Sequence, residues 1–211
     1  MKTSTLIEFL AKDAGPAPRA VTARRLWPVA ALGLLLSVAM AIAVIGPVPA
    51  RLMSEPGMWL KMVYALALAV SGGWLVSRLA RPVARVRAPR AVVFGLVLLM
   101  AVVGAVSLGL EPEGQRMLAL MGHSALTCPW SVFALSLPAL AGSFWALRGL
   151  APTDLRRAGA AAGVFSGAVG ALGYSLTCTE LSPAFVVVWY SAGIAAVGLL
   201  GAWLGPRLLR W

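Results

Sequence analysis

The chain has 211 residues, 60% of them hydrophobic and only 12% charged, about half the charge of an ordinary soluble domain. That balance excludes a soluble globular protein. The net charge of +11 sits in a few short loops, so it argues for a membrane surface and against nucleic acid as the partner.

The chain opens with a polar head, MKTSTLIEFLAKDAGPAP. Thr5 and Glu8 have capping-box spacing: the hydroxyl can accept from the helix start while the carboxylate reaches back. Leu6, Ile7, Phe9 and Leu10 then form one apolar stripe on a helix of about two turns, ending near Gly15-Pro16. Helices shorter than about 12 residues are marginal in water. This one therefore needs a surface, which the membrane, its own loops or a partner protein can supply. Residues 14–23 read as a tether, so residues 1–26 form an N-terminal segment.

Six apolar stretches follow, at residues 27–48, 58–78, 91–110, 130–147, 158–178 and 184–205. A helix needs about 20 apolar residues to cross a hydrocarbon core of about 30 Å. No alternating pattern suggests a barrel, and helices satisfy their own backbone in lipid. The first stretch is too long for a signal-peptide core and ends in Gly-Pro-Val-Pro, so it reads as a retained span. No other segment is long enough to bury a core. The expected fold class is an all-α membrane protein. Six transmembrane helices form one domain over residues 27–211, preceded by a short cytoplasmic amphipathic helix.

Within the spans, Lys61 lies near the outer end of span two, where snorkelling to the interface explains it. Gly159, Gly163 and Gly167 recur every four residues in span five, which predicts close helix packing and a central position. Trp59, Trp130, Trp189, Trp203 and Trp211 fall near span ends, as an aromatic belt requires.

Basic residues divide between alternate loops. One side holds Lys2, Lys12, Arg19, Arg24 and Arg25; Arg78, Arg81, Arg85, Arg87 and Arg90; Arg148, Arg156 and Arg157; and Arg207 and Arg210. The other holds only Arg51, Lys61 and Arg116. The positive-inside rule puts both termini in the cytoplasm.

Two phrases repeat about fifty residues apart: GHSALTC at residues 122–128 and GYSLTC at residues 173–178. They contain both cysteines. Cys128 precedes an inward-running span and Cys178 closes an outward-running one. With a rise of about 1.5 Å per residue the two return to nearly the same outer, periplasmic depth. A structural disulfide, a redox sensor and a metal sensor are all open readings of such a pair. His123 and Glu180 are candidate accessory ligands beside the thiols. The spacing is not a zinc signature, so no resident cofactor is expected, and a metal ion would be at most a transient guest of the cysteine pair. Ser124, Thr127, Ser175 and Thr177 can cap helix ends or bond across the bundle.

The head MKTSTLIEFLAKDAGP, the six spans, GHSALTCPW with Pro138 after it, and CTELSPAF with Trp189-Tyr190 after it together resemble the NrsF family. Its members are negative regulators of sigma F, six-span anti-sigma factors of the bacterial inner membrane. The resemblance covers nearly the whole chain. It implies that an extracytoplasmic-function sigma factor is sequestered in the cytoplasm and released when a heavy metal or oxidant acts on the cysteines. Cys128 and Cys178 would then be the signal-sensing positions. The amphipathic stripe Leu6, Ile7, Phe9 and Leu10 would contribute to the sigma-binding surface, an expectation that rests on its amphipathicity and side of the membrane.

Two rival functions are weaker on the residues. A membrane thiol oxidoreductase would need a second cysteine pair to relay electrons, and no phosphate loop, H-E-x-x-H or nucleophile elbow occurs. A transporter of metals or small solutes would leave ionisable residues or broken helices near mid-membrane, where these spans are almost purely apolar. The chain is therefore not expected to be an enzyme.

Overall fold

Long uncharged runs rich in Leu, Val and Ala, without period-two alternation, fold as helices. The computed structural model describes residue 3 and residues 21–81, 85–150 and 152–210. The head stripe Leu6, Ile7, Phe9 and Leu10 lies outside these described residues. Among the described residues seven α-helical segments follow in order, besides a 3-10 turn at Ala50–Ser54: α1 (Val21–Val44), α2 (Pro56–Leu79), α3 (Arg87–Leu110), α4 (Glu113–Met121), α5 (Thr127–Arg148), α6 (Leu155–Ser175) and α7 (Pro183–Leu208). No strand occurs among the described residues.

Five of these helices, α1, α2, α3, α5 and α7, are long and apolar enough to cross a membrane. The stretch expected as a fifth span, α6, has the length but not the hydropathy. Gly159, Gly163, Gly167, Gly170 and Gly173 dilute its apolar side chains.

Several boundaries differ from the sequence reading, each for a local reason. The first helix begins at Val21 and stops at Val44. It does not reach residue 48, because Gly46 turns the chain at φ 91° just before Pro47. Val48 then donates its N–H to the Leu176 carbonyl at 3.0 Å, fastening this loop to the end of α6. Helix α5 starts at Thr127, ahead of Pro129; proline in a first turn forfeits an N–H that would have had no partner anyway. Helix α6 begins where the Asp154 side chain accepts from the Arg157 N–H at 2.9 Å. It ends at Ser175, so Cys178 lies beyond the helix instead of closing it. Short α4 was not foreseen. In α7 a π-helical turn spans Val186–Tyr190.

The buried centre is α6. It packs most extensively on α7, then on α2, α5 and α1, and most of its residues are buried. The glycine row makes this possible. A Cβ on Gly159 would collide with the Gly201 carbonyl, and one on Gly201 with the Gly159 carbonyl. Gly163 is pressed in the same way against the Val197 carbonyl. The expectation that span five is central and packed through small residues thus holds. Serines tie other helices to it: Ser37 Oγ donates to the Gly170 carbonyl at 3.3 Å, and the Ser143 and Ser166 hydroxyls lie 3.0 Å apart.

The outer faces reverse the soluble pattern. Helix α3 buries only Pro89, Met100 and Gly104, while Phe94, Leu98 and Leu110 stand exposed, as do Trp27, Leu35 and Val44 on α1. Such a surface is compatible with lipid around the bundle. Trp59, Trp130 and Trp203 are exposed near helix ends. Trp189 departs from the expected belt, because its indole N–H bonds the Leu120 carbonyl at 2.9 Å and ties α7 to α4.

Candidate functional site: a thiol-bearing polar cluster

Helix ends sort into two groups. The end of α1, the start of α2, the end of α3, all of α4, the start of α5, the end of α6 and the start of α7 share one end of the bundle. The opposite end carries Arg24, Arg25, Arg78, Arg81, Arg148, Arg156, Arg157 and Arg207. Both cysteines lie at the first end.

Cys128 occupies the first turn of α5 and is fully buried; Cys178, just past α6, is 3% exposed. Both are free thiols and both belong to the same core cluster. Their surroundings repeat. The Cys128 N–H donates to the Ser124 carbonyl at 2.8 Å, and Thr127 Oγ1 donates to that same oxygen at 3.2 Å. The Cys178 N–H donates to the Tyr174 carbonyl at 3.1 Å, which also accepts from Thr177 Oγ1 at 2.9 Å. One copy enters a helix and the other leaves one, yet each sets its thiol on the same helical turn. The threonines, and Ser175, which bonds Leu172 at 2.6 Å, therefore bond locally and do not bridge helices.

Two tyrosines flank the thiols. The rings of Tyr174 and Tyr190 are 5.7 Å apart, and both belong to the same buried cluster as the cysteines. The hydroxyls of Tyr190 and Ser124 are buried without a hydrogen-bond partner. Unsatisfied buried hydroxyls are uncommon, because each forfeits its hydration for nothing. Sequence reasoning gave neither Tyr174 nor Tyr190 a role, although Tyr174 lies inside the second phrase and Tyr190 closes the segment that carries the family resemblance.

Lys61 corrects another expectation. It does not snorkel. Its side chain is fully buried, and Nζ donates to the Cys178 carbonyl and, at 3.1 Å, to the Glu180 carbonyl. Beside it, the Tyr64 hydroxyl pairs with Ser191 Oγ at 2.7 Å. The cation is held by two main-chain carbonyls of the segment that follows α6.

His123 and Glu180 do meet, though not chiefly through the imidazole. Glu180 Oε1 accepts the His123 main-chain N–H at 2.7 Å, with Nδ1 at 3.6 Å. The imidazole is 84% exposed while the Glu180 side chain is 13% exposed. Gly122 makes the approach possible: it has φ 54°, and a Cβ there would strike the Glu180 carboxylate. Among the described residues no three His, Cys, Asp or Glu side chains gather as a metal-binding set. Two thiols alone fall short of the three or four protein ligands of a resident zinc site.

This architecture defines a class: a helical bundle fit for lipid, with a buried thiol pair at one end and arginines at the other. The chain belongs to the NrsF family, whose profile, described as negative regulator of sigma F, matches residues 10–211. It is 40% identical over 220 aligned residues to the anti-sigma-F factor NrsF of Caulobacter vibrioides, covering all of both chains. It is 32% identical, again over both full lengths, to the probable anti-sigma-F factor NrsF of Azospira oryzae. No solved structure is significantly similar.

Proposed function

We propose that this protein is an anti-sigma factor of the bacterial inner membrane that releases its sigma factor when an external signal acts on Cys128 and Cys178. The full-length relationship to the Caulobacter anti-sigma-F factor carries this reading. In this reading α6 is the sixth span, shielded from lipid by its neighbours, and the arginine-bearing end faces the cytoplasm. The thiols then face the periplasmic side.

The partner is a cytoplasmic extracytoplasmic-function sigma factor, and the head stripe Leu6, Ile7, Phe9 and Leu10 forms part of its docking surface. A short amphipathic helix that folds onto its guest loses entropy on ordering, which keeps the affinity adjustable.

The signal is an oxidant or a soft metal. A two-electron oxidant takes two electrons from the pair; both thiols lose their protons and one S–S bond forms. A soft divalent metal displaces the same two protons and forms two metal–sulfur bonds. The unpartnered Tyr190 and Ser124 hydroxyls favour this spot, since they can stabilise a thiolate or a ligated state that the resting pair lacks. Either event redraws the relation between the first turn of α5 and the segment after α6. Lys61 couples that segment to α2. Helices α2 and α5 end near Arg78 and Arg148 at the opposite end, so a rigid shift there would reach the bound guest. Moving the guest from 99:1 bound to 1:99 requires about 5.5 kcal/mol of differential stabilisation.

The test deletes residues 2–16 and measures transcription of the sigma regulon without signal. Constitutive expression is expected. Repression that survives the deletion would refute the assignment of the head as the docking element, and failure of the full chain to co-purify with any sigma factor would refute the function.

A further inference from the structure

Helices α1 and α2 follow one another in sequence and both pack on α6, but they touch each other sparsely. Between them lies an almost wholly apolar groove of about 500 Å³, floored by Phe165 and Val169 of α6. Its α1 wall runs from Ala23 to Leu34 and its α2 wall from Ser77 to Leu66. At about 1.5 Å per residue each wall is about 16 Å long, which is one leaflet of a hydrocarbon core about 30 Å thick.

The same faces continue into positive charge. Arg24 stands one turn before the lining residue Trp27, and Arg78 one turn after the lining residue Trp74; Arg81 follows just past the end of α2. All three arginines are exposed. Among the described residues the one carboxylate at this end, Asp154, is engaged by Arg157 at 3.1 Å.

We propose that this groove binds one acyl chain of an anionic phospholipid, with the headgroup phosphate held by Arg24, Arg78 and Arg81. Length, apolar lining and a cationic rim together select a lipid over a soluble anion, which would need no groove, and over a zwitterionic lipid, which would need no rim. The leaflet, but not the binding, rests on the orientation proposed above: the arginine end places the lipid on the cytoplasmic side. A lipid wedged between α1 and α2 would brace the helix that carries the head against the helix that carries Lys61.

The experiment uses the full chain in a non-ionic detergent and counts bound lipids by mass spectrometry of the intact protein, titrating phosphatidylglycerol or phosphatidylcholine. Phosphatidylglycerol should bind more tightly, and R24Q and R78Q should each weaken it by about fivefold while leaving phosphatidylcholine unaffected. Ala31 is exposed and lines the groove, so A31F should remove one bound lipid without altering the melting temperature. Equal binding of the two lipids would overturn the proposal, as would an A31F protein that keeps its full lipid complement. Cross-links at Trp27 to a second copy, or to the chain's own head, would assign the groove to that occupant instead. None of these outcomes bears on sigma-factor binding, which is read separately by co-purification.

Discussion

Lys61 Nζ donates to the main-chain oxygen of Cys178, joining the second turn of α2 to a residue 117 positions away that sits just beyond α6. The bond is to the backbone, so it holds the position of the thiol without occupying the sulfur. A buried ammonium is costly to desolvate and is retained where its partners are well placed. Here it makes the Cys178 segment part of the bundle instead of a free loop.

Replacing Lys61 with Met should therefore loosen residues 178–180. Two carbonyls lose a charged donor, and a hydrogen bond to a charged group contributes about 1.5–3 kcal/mol. Relief of the ammonium's burial offsets part of that. A net loss of about 2 kcal/mol is expected in reversible unfolding in detergent, together with faster alkylation of Cys178. Unchanged alkylation would mean that the segment is held by other contacts.

Both thiols are almost completely shielded. In the native protein a maleimide should react with Cys128 and Cys178 at least about tenfold more slowly than in denaturant, since reaction requires local opening. C128S and C178S should each fold and insert, with stability within about 2 kcal/mol of the parent, but should no longer derepress the regulon in response to oxidant or soft metal. A normal response in both variants would reduce the pair to a structural feature.

Glu180 and His123 should behave unequally although they are neighbours. Glu180→Ala removes a carboxylate that accepts a main-chain N–H at 2.7 Å and should cost about 1.5–3 kcal/mol. His123→Ala removes an imidazole that is mostly in solvent but keeps that N–H, and should change stability by less than about 1 kcal/mol. Thermal unfolding of the two variants in the same detergent gives the comparison. Equal losses would show that the imidazole carries the contact.

The packing of α6 on α7 leaves no room for a methyl group at its closest points. Gly159→Ala or Gly201→Ala should cost about 1–3 kcal/mol by overpacking, and leucine at either position should abolish the folded bundle. The readout is the fraction of monodisperse protein after solubilisation. A Gly159→Leu variant that stays monodisperse and stable would contradict the backbone contact.

Much of this was legible in the chain. Apolar runs announce helices because lipid-facing residues need no alternation, and span arithmetic brought Cys128 and Cys178 to one end before any geometry was known. The glycine spacing of α6 announced its central position. What escaped depends on which neighbour lies opposite. Hydropathy gives the depth of Lys61 but not the carbonyls waiting beside it, so snorkelling looked sufficient. The packing of Tyr190 on Tyr174 was hidden because Tyr190 closes a π-helical turn, which re-aims side chains away from the regular helical face. The early stop of α6 and the turn at Gly46 are backbone events that apolar composition cannot register. The pairing of Glu180 with the main chain of His123 was half visible: both residues stood out, but as accessory metal ligands beside the thiols.

The glycine row that lets α6 nest at the centre also bears on how the protein is made. A segment so diluted in apolar side chains is a poor stop signal for the insertion machinery when it emerges alone. If α6 is the sixth span, as proposed, its entry into the bilayer would depend on α5 waiting beside it and α7 following, so that the three partition as a hairpin and a closing arm. Maturation of the thiol-bearing end would then be a late, cooperative event of biogenesis, and under the proposed topology a truncation after α6 would leave that helix stranded outside the membrane, with Cys178 separated from Cys128.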